Sequence, residues 1–267
     1  MQDSNEKELT FWDHLDELRK VFFRIAVAVT ILSIIAFLNK ELLFDIILAP
    51  QRFDFILYRF FNDMASKFSM PSLQIEDFHV ELINIQLTSQ FMIHMSTSFY
   101  AGFLLASPYI IYMLFSFISP ALHQAERQAC LKVMFPAFIL FILGILLNYY
   151  VIFPLSFRFL ATYQVSELVV NKISISSYIS SFTMLSLMMG AAFEIPILAY
   201  FLAKLRFIHA NTLKKYRKHA LVGILIAGAV ITPTSDIFTL LLVSIPLYLL
   251  YELSIIIVAR TNRKATA

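Results

Sequence analysis

Residues 21–38, VFFRIAVAVTILSIIAFL, carry a single charged side chain, Arg24, in eighteen positions. A hydrocarbon core about 30 Å thick is crossed by roughly 20 apolar residues in a helix, so this run reads as a membrane span that Arg24 opens. The residues before it are polar and more acidic than basic, and no small-residue cleavage pattern follows Leu38. The run is therefore expected to stay in the chain as an anchor.

The whole chain extends that reading. It is 59% hydrophobic and only 15% charged, with a mean hydropathy of +0.75, where soluble domains hold about 45–50% apolar residues. Further apolar runs follow at 90–118, 133–153, 180–206, 218–232 and 237–258. Together with 21–38 they predict an all-α, polytopic membrane protein of six transmembrane helices, a single integral membrane domain over 1–267. The second and fourth runs are long enough to tilt, kink or project. The fifth offers about fourteen residues before Pro233, roughly 21 Å of helix, and a span that short implies local thinning or shelter by neighbours. Pro108, Pro136, Pro154, Pro196 and Pro246 predict bends that make the bundle concave. The stretch 39–84 (LLFDIILAP, FDFILYRFF) is too long for a bare loop and is expected to form an outer cap of amphipathic pieces.

Lys and Arg are unevenly divided between the two sides. Fifteen fall before span one, between spans two and three, around the junction of four and five, or at the end of the chain; six fall on the other side. Positive charge is retained inside, which places both termini in the cytoplasm. The single cysteine, Cys130, excludes an internal disulfide. No P-loop, HExxH or GxSxG pattern is present, so neither enzyme activity nor a cofactor, metal or nucleic-acid partner is expected.

Three acids stand where acids are unexpected. Glu17 lies in FWDHLDELRK (Phe11–Lys20), off the stripe formed by Phe11, Leu15, Leu18 and Phe22; it reads either as a solvated face or as half of a binding site. Glu126 lies in SPALHQAERQ (Ser119–Gln128), where Ser119 and Pro120 suit a helix start. It reads equally as a surface partner of Arg127, an interaction worth little, or as a ligand. Glu194, in MMGAAFEIPILAY (Met188–Tyr200), sits near mid-membrane, where a carboxyl is costly and by default functional; a protonated, hydrogen-bonded residue inside the bundle is the alternative. Glu252, nearer the cytoplasmic end of span six, is expected to reach the headgroups, and His94 to be a packing residue. An ion- or proton-coupled transporter using Glu194 is a second reading. It predicts inverted repeats, which the sequence does not display.

From His14 to Ser254 the chain resembles the TatC family of the twin-arginine protein translocase. HLDELRK (His14–Lys20) resembles the family's HL-x-ELR motif, and Ser107–Arg127 its second span and first cytoplasmic loop. FPLSFRFL (Phe153–Leu160) is similar to the end of span three, FEIPI (Phe193–Ile197) to the acidic motif of span four, and Ile231–Glu252 to the last hairpin. The resemblance implies six spans in an energy-transducing membrane, bacterial or organellar, with cytoplasmic termini. It implies a receptor for Arg-Arg signal peptides of folded cargo, scaffolding single-span TatA/TatB-type subunits, self-associating and driven by the proton-motive force. It assigns Glu17 and Glu126 to the paired arginines and Glu194 to an intramembrane contact with partner or signal, with Arg19, Arg127, Asp236 and Glu252 as supporting residues. Guanidinium–carboxylate pairing can be bidentate, which suits a receptor that separates Arg-Arg from Lys-Lys. Two features depart from the family. The turn is TPTSD rather than TPPD, with Thr239 or Leu240 where a Gln is expected, and Arg127 is followed by Gln128 rather than a second basic residue.

Overall fold

The computed structural model describes residues 11–69, 78, 80–118, 124–166, 171–232 and 236–266, excepting the side chains of 11, 13, 14, 118, 124–132 and 264–266. Among these, five helical segments are long and apolar enough to cross a membrane: Leu15–Leu38, Ser89–Phe117, Val133–Thr162, Ile175–Lys204 and Ile237–Arg263. The remaining expected span, 218–232, is a helix of fifteen residues, Arg217–Ile231, about 22 Å long. The chain is a multi-pass helical membrane protein.

Its contacts fall into two compact units, Met1–Asn39 with Ser98–Phe138, and Lys40–Thr97 with Ile139–Ala267. In the first, α1 (Phe11–Leu38) packs on α4 (Ser89–Ile118). Val29, Ala106 and Ile110 are buried together, flanked by Ile25, Leu32 and Phe103. A side chain at Gly102 would run into the backbone of Ser33, and Ala106 follows four residues on. Small residues at this spacing let membrane helices approach closely where no hydrophobic force drives them together. Phe22, Phe23, Ile31, Ile34, Ile35 and Leu38 of α1 are exposed, the pattern of a helix that faces lipid.

In the second unit the outer stretch 39–84 folds into α2 (Lys40–Leu48), a 3-10 turn (Ala49–Gln51), α3 (Ile56–Lys67) and a two-residue strand, β1 (Leu82–Ile83). This strand pairs in parallel with β2 (Ile173–Ser174), Leu82 opposite Ile173; so short a ladder leaves the chain essentially all-α. The last carbonyls of a helix lack partners of their own, and those of α2 are met by tyrosines. The Tyr149 hydroxyl donates to Ile46 O at 2.9 Å and that of Tyr178 to Ile47 O at 2.9 Å. From the opposite direction, the buried Tyr58 hydroxyl of α3 donates to Pro154 O at 2.8 Å. Burial also pushes the Tyr58 phenol well above its usual range. Around them Phe55, Tyr149, Phe153, Phe157, Tyr178 and Phe182 meet largely edge to face, a favoured ring geometry.

Span three runs past its expected end. It continues from α5 (Gln124–Leu147) through a π turn (Asn148–Ile152) into α6 (Phe153–Thr162). Pro154 has no N–H for an i→i−4 bond, and a local π turn is a common way to absorb that defect. Span four breaks where its proline predicts, into α7 (Ile175–Ala192) and α8 (Ile195–Lys204), with Pro196 in the first turn of α8. Pro108, Pro136 and Pro246 instead lie inside continuous helices. After α8 come α9 (Ala210–Lys215), α10 (Arg217–Ile231) and α11 (Ile237–Thr266). Ala199 and Ala203 of α8, with Ala210 and Val258, form a core of small residues, and Gly228 lets α10 pass close to Leu240 of α11.

Candidate functional site

Glu17 lies in the second turn of α1, on a face where Asp16, Arg19 and Lys20 are exposed as well. Among the described residues its carboxylate has no ion-pair or hydrogen-bond partner. Glu126 and Arg127 fall in the first turn of α5, in the same unit as Glu17. Their side chains lie outside the described residues, as does the whole of the loop 119–123 before them.

Glu194 occupies the break in span four, as the residue preceding α8. Its backbone N–H donates to Ala191 O at 3.1 Å, and its carbonyl accepts from both Ile197 and Leu198 at 3.0 Å. The main chain is thus satisfied around the proline. The side chain is not: Oε1 is buried and has no hydrogen-bond partner among the described residues. A buried oxygen in that state is destabilised unless water, a proton donor or another protein chain reaches it. Two glycines shape its neighbourhood. A Cβ on Gly144 would lie 2.5 Å from Met189 O and 2.9 Å from the Phe193 ring, and one on Gly190 would lie 2.9 Å from the Phe141 ring. Only glycine allows α5 to lie this close to the end of α7.

Two of the supporting residues, Asp236 and Glu252, have structural partners. Asp236 caps α11: the Thr239 N–H donates to its Oδ1 at 2.7 Å. Glu252 joins helices at the base of the last hairpin, where Arg217 Nη2 donates to Oε2 at 2.7 Å and the Tyr248 hydroxyl donates to Oε1 at 3.2 Å. Arg19 is exposed. His94 lies against the ring of Phe44, the packing role expected of it.

A buried polar pair was missed by the sequence reading. Asn148, fully buried in the π turn, donates from Nδ2 to Ser186 Oγ at 2.7 Å; Ser186 in turn donates to Phe182 O at 2.8 Å. The available signal was an amide inside ILLNYYVIF (Ile145–Phe153), easily passed over as neutral. Nearer the strands, a cavity of about 190 Å³ is lined by Ser156, Ser177, Tyr178, Ser181 and Thr239. Thr239, at the position where a polar contact was in question, is buried, and its hydroxyl has no partner among the described residues. Leu240 instead packs beneath Gly228. Among the described residues no group of His, Cys, Asp and Glu could hold a metal ion.

Comparison with known proteins places this arrangement among relatives. A family model described as Sec-independent protein translocase protein (TatC) matches residues 13–246. The Sec-independent protein translocase protein TatC of Blattabacterium sp. subsp. Periplaneta americana is 40% identical over 264 residues, covering 97% of this chain and 99% of its own. That of Aquifex aeolicus is 34% identical over 253 residues, covering 94% and 95%. A crystal structure of the twin-arginine translocase receptor TatC aligns with a TM-score of 0.72 at 33% identity, covering 93% of this chain and 99% of that one.

Proposed function

The chain belongs to the TatC family of Sec-independent protein translocase proteins, the twin-arginine translocase subunit, and from that membership we propose how it recognises cargo. Glu17 and Glu126 form a two-carboxylate clamp for the paired arginines of a signal peptide. The observation that carries this reading is Glu17 itself, exposed and without a partner among the described residues, on α1 just ahead of an apolar span. A guanidinium offers each carboxylate a planar fork of donors, whereas an ammonium is a point charge. Two carboxylates on helices leading into the membrane thus select Arg-Arg over Lys-Lys.

In this reading both termini and the loops near Glu126 and Lys214 face the cytoplasm, as the division of Lys and Arg supports. Glu194 receives a polar group from a partner's single membrane helix or from the inserted signal, which would satisfy its orphaned oxygen.

The test is binding of a fluorescent Arg-Arg signal peptide to the purified full chain, beside its Lys-Lys twin, with any required partner supplied. We expect preference for Arg-Arg, and a loss of about 10-fold or more in Glu17→Gln or Glu126→Gln, since a charge-assisted hydrogen bond contributes roughly 1.5–3 kcal/mol. Unchanged binding by both folded variants would remove the clamp.

A further inference from the structure

Six of the 21 Lys and Arg residues lie in the short stretch 204–218: Lys204, Arg206, Lys214, Lys215, Arg217 and Lys218. No acid occurs anywhere between Glu194 and Asp236. Arg217 is held by Glu252, but among the described residues the other five have no ion-pair partner and all five are exposed. The outer arginines Arg52 and Arg59 contrast with them, each being paired with an aspartate. Like charges gathered without counter-charges repel one another, so this cluster is unfavourable unless an anion is supplied from outside.

The turn also exposes apolar surface where turns of its kind usually bury it. Helix α8 ends in a Schellman motif: the Phe207 N–H donates to Leu202 O at 2.8 Å and the Arg206 N–H to Ala203 O at 3.0 Å. In that motif the residue after the turn ordinarily packs back on the helix, over the side chain of the residue whose carbonyl it bonds. Here Phe207 is 73% exposed and Leu202 is exposed beside it. The left-handed position, where glycine is usual, is taken by Arg206 at φ 62°, so a cation sits at the tip at some conformational expense. Tyr216, also exposed, flanks the cluster on the other side. The fifteen residues of α10 fall short of the hydrocarbon thickness, which draws this turn toward the boundary between headgroups and acyl chains.

An exposed aromatic ring beside Arg206, in a stretch of fifteen residues with four further exposed cations that have no ion-pair partner among the described residues, suits a surface that is apolar below and anionic above. We propose that the α8–α10 turn binds the phosphodiester headgroup of an anionic glycerophospholipid. Phe207 enters the acyl boundary while Arg206, Lys214, Lys215 and Lys218 surround the phosphate, the chemistry of basic segments flanking membrane helices.

The full chain is purified from micelles containing equal parts phosphatidylglycerol and phosphatidylcholine, and the retained lipid is weighed by native mass spectrometry. We expect enrichment of phosphatidylglycerol, falling about five-fold for each cation removed in Arg206→Gly and in Lys214→Gln with Lys215→Gln. Glycine relieves the left-handed backbone, so Arg206→Gly cannot lose the lipid by misfolding. Unchanged enrichment in these variants would overturn the proposal, as would displacement of the lipid by millimolar inorganic phosphate. It would equally fall if wild-type protein showed no preference while the variants lost an acidic protein partner.

Discussion

A carboxyl oxygen without a partner, as in Glu194, has a different value to the protein from one that is bonded. Replacing Glu194 with Gln keeps volume and polarity but removes the ionisable group. Because the native oxygen already lacks a partner, Glu194→Gln is expected to leave the thermal midpoint in detergent unchanged or higher while export falls. Loss of folding in this variant would instead make Glu194 a structural residue. Asp236 presents the reverse case. Its oxygen is fully used in capping α11, so Asp236→Ala should cost about 1 kcal/mol of stability and leave Arg-Arg peptide binding intact, read by melting and peptide titration on one sample. The sequence identified Glu194 because an acid in an apolar run is conspicuous. It could not separate Asp236 the cap from Asp236 the ligand, since both uses favour the same residue at a turn.

Helix packing in this chain is decided by glycine more than by hydrophobicity. Gly144→Ala would drive a methyl group against the backbone oxygen of Met189, which cannot rotate away. Overpacking of this kind costs about 1–3 kcal/mol, and it would also disturb the break that holds Glu194. Gly223 of α10 has nothing within 4 Å of its missing Cβ, so Gly223→Ala should be neutral or stabilising by up to about 1 kcal/mol. Equal thermal midpoints for the two variants would refute this account of the α5–α7 approach. The spans themselves were legible, because an apolar run of some twenty residues has few other uses, and Pro196 announced the break in span four. The π turn before Pro154 and the extension of span three to Thr162 were not legible. Both depend on how α5 accommodates its neighbours, which hydropathy does not encode.

At the scale of the molecule, the outer cap is joined to the spans by few but specific bonds. Tyr178 is buried, and Tyr178→Phe would leave Ile47 O without a donor, costing about 1–3 kcal/mol. Tyr149→Phe, at a more exposed position, should cost less. The order of the two in urea unfolding checks the assignment, and a reversal would place the main attachment elsewhere. That 39–84 holds helices of its own was legible from its length, but its attachment was not, because each tyrosine reads equally well as an interfacial aromatic. The same bonds govern how the molecule is made. Ile47 and Tyr178 are 131 residues apart, Ile46 and Tyr149 are 103, and the paired strands are separated by two intervening spans. During synthesis the cap therefore leaves the insertion machinery long before the residues that fasten it. It must wait, unlatched, until the fourth span arrives to close the assembly.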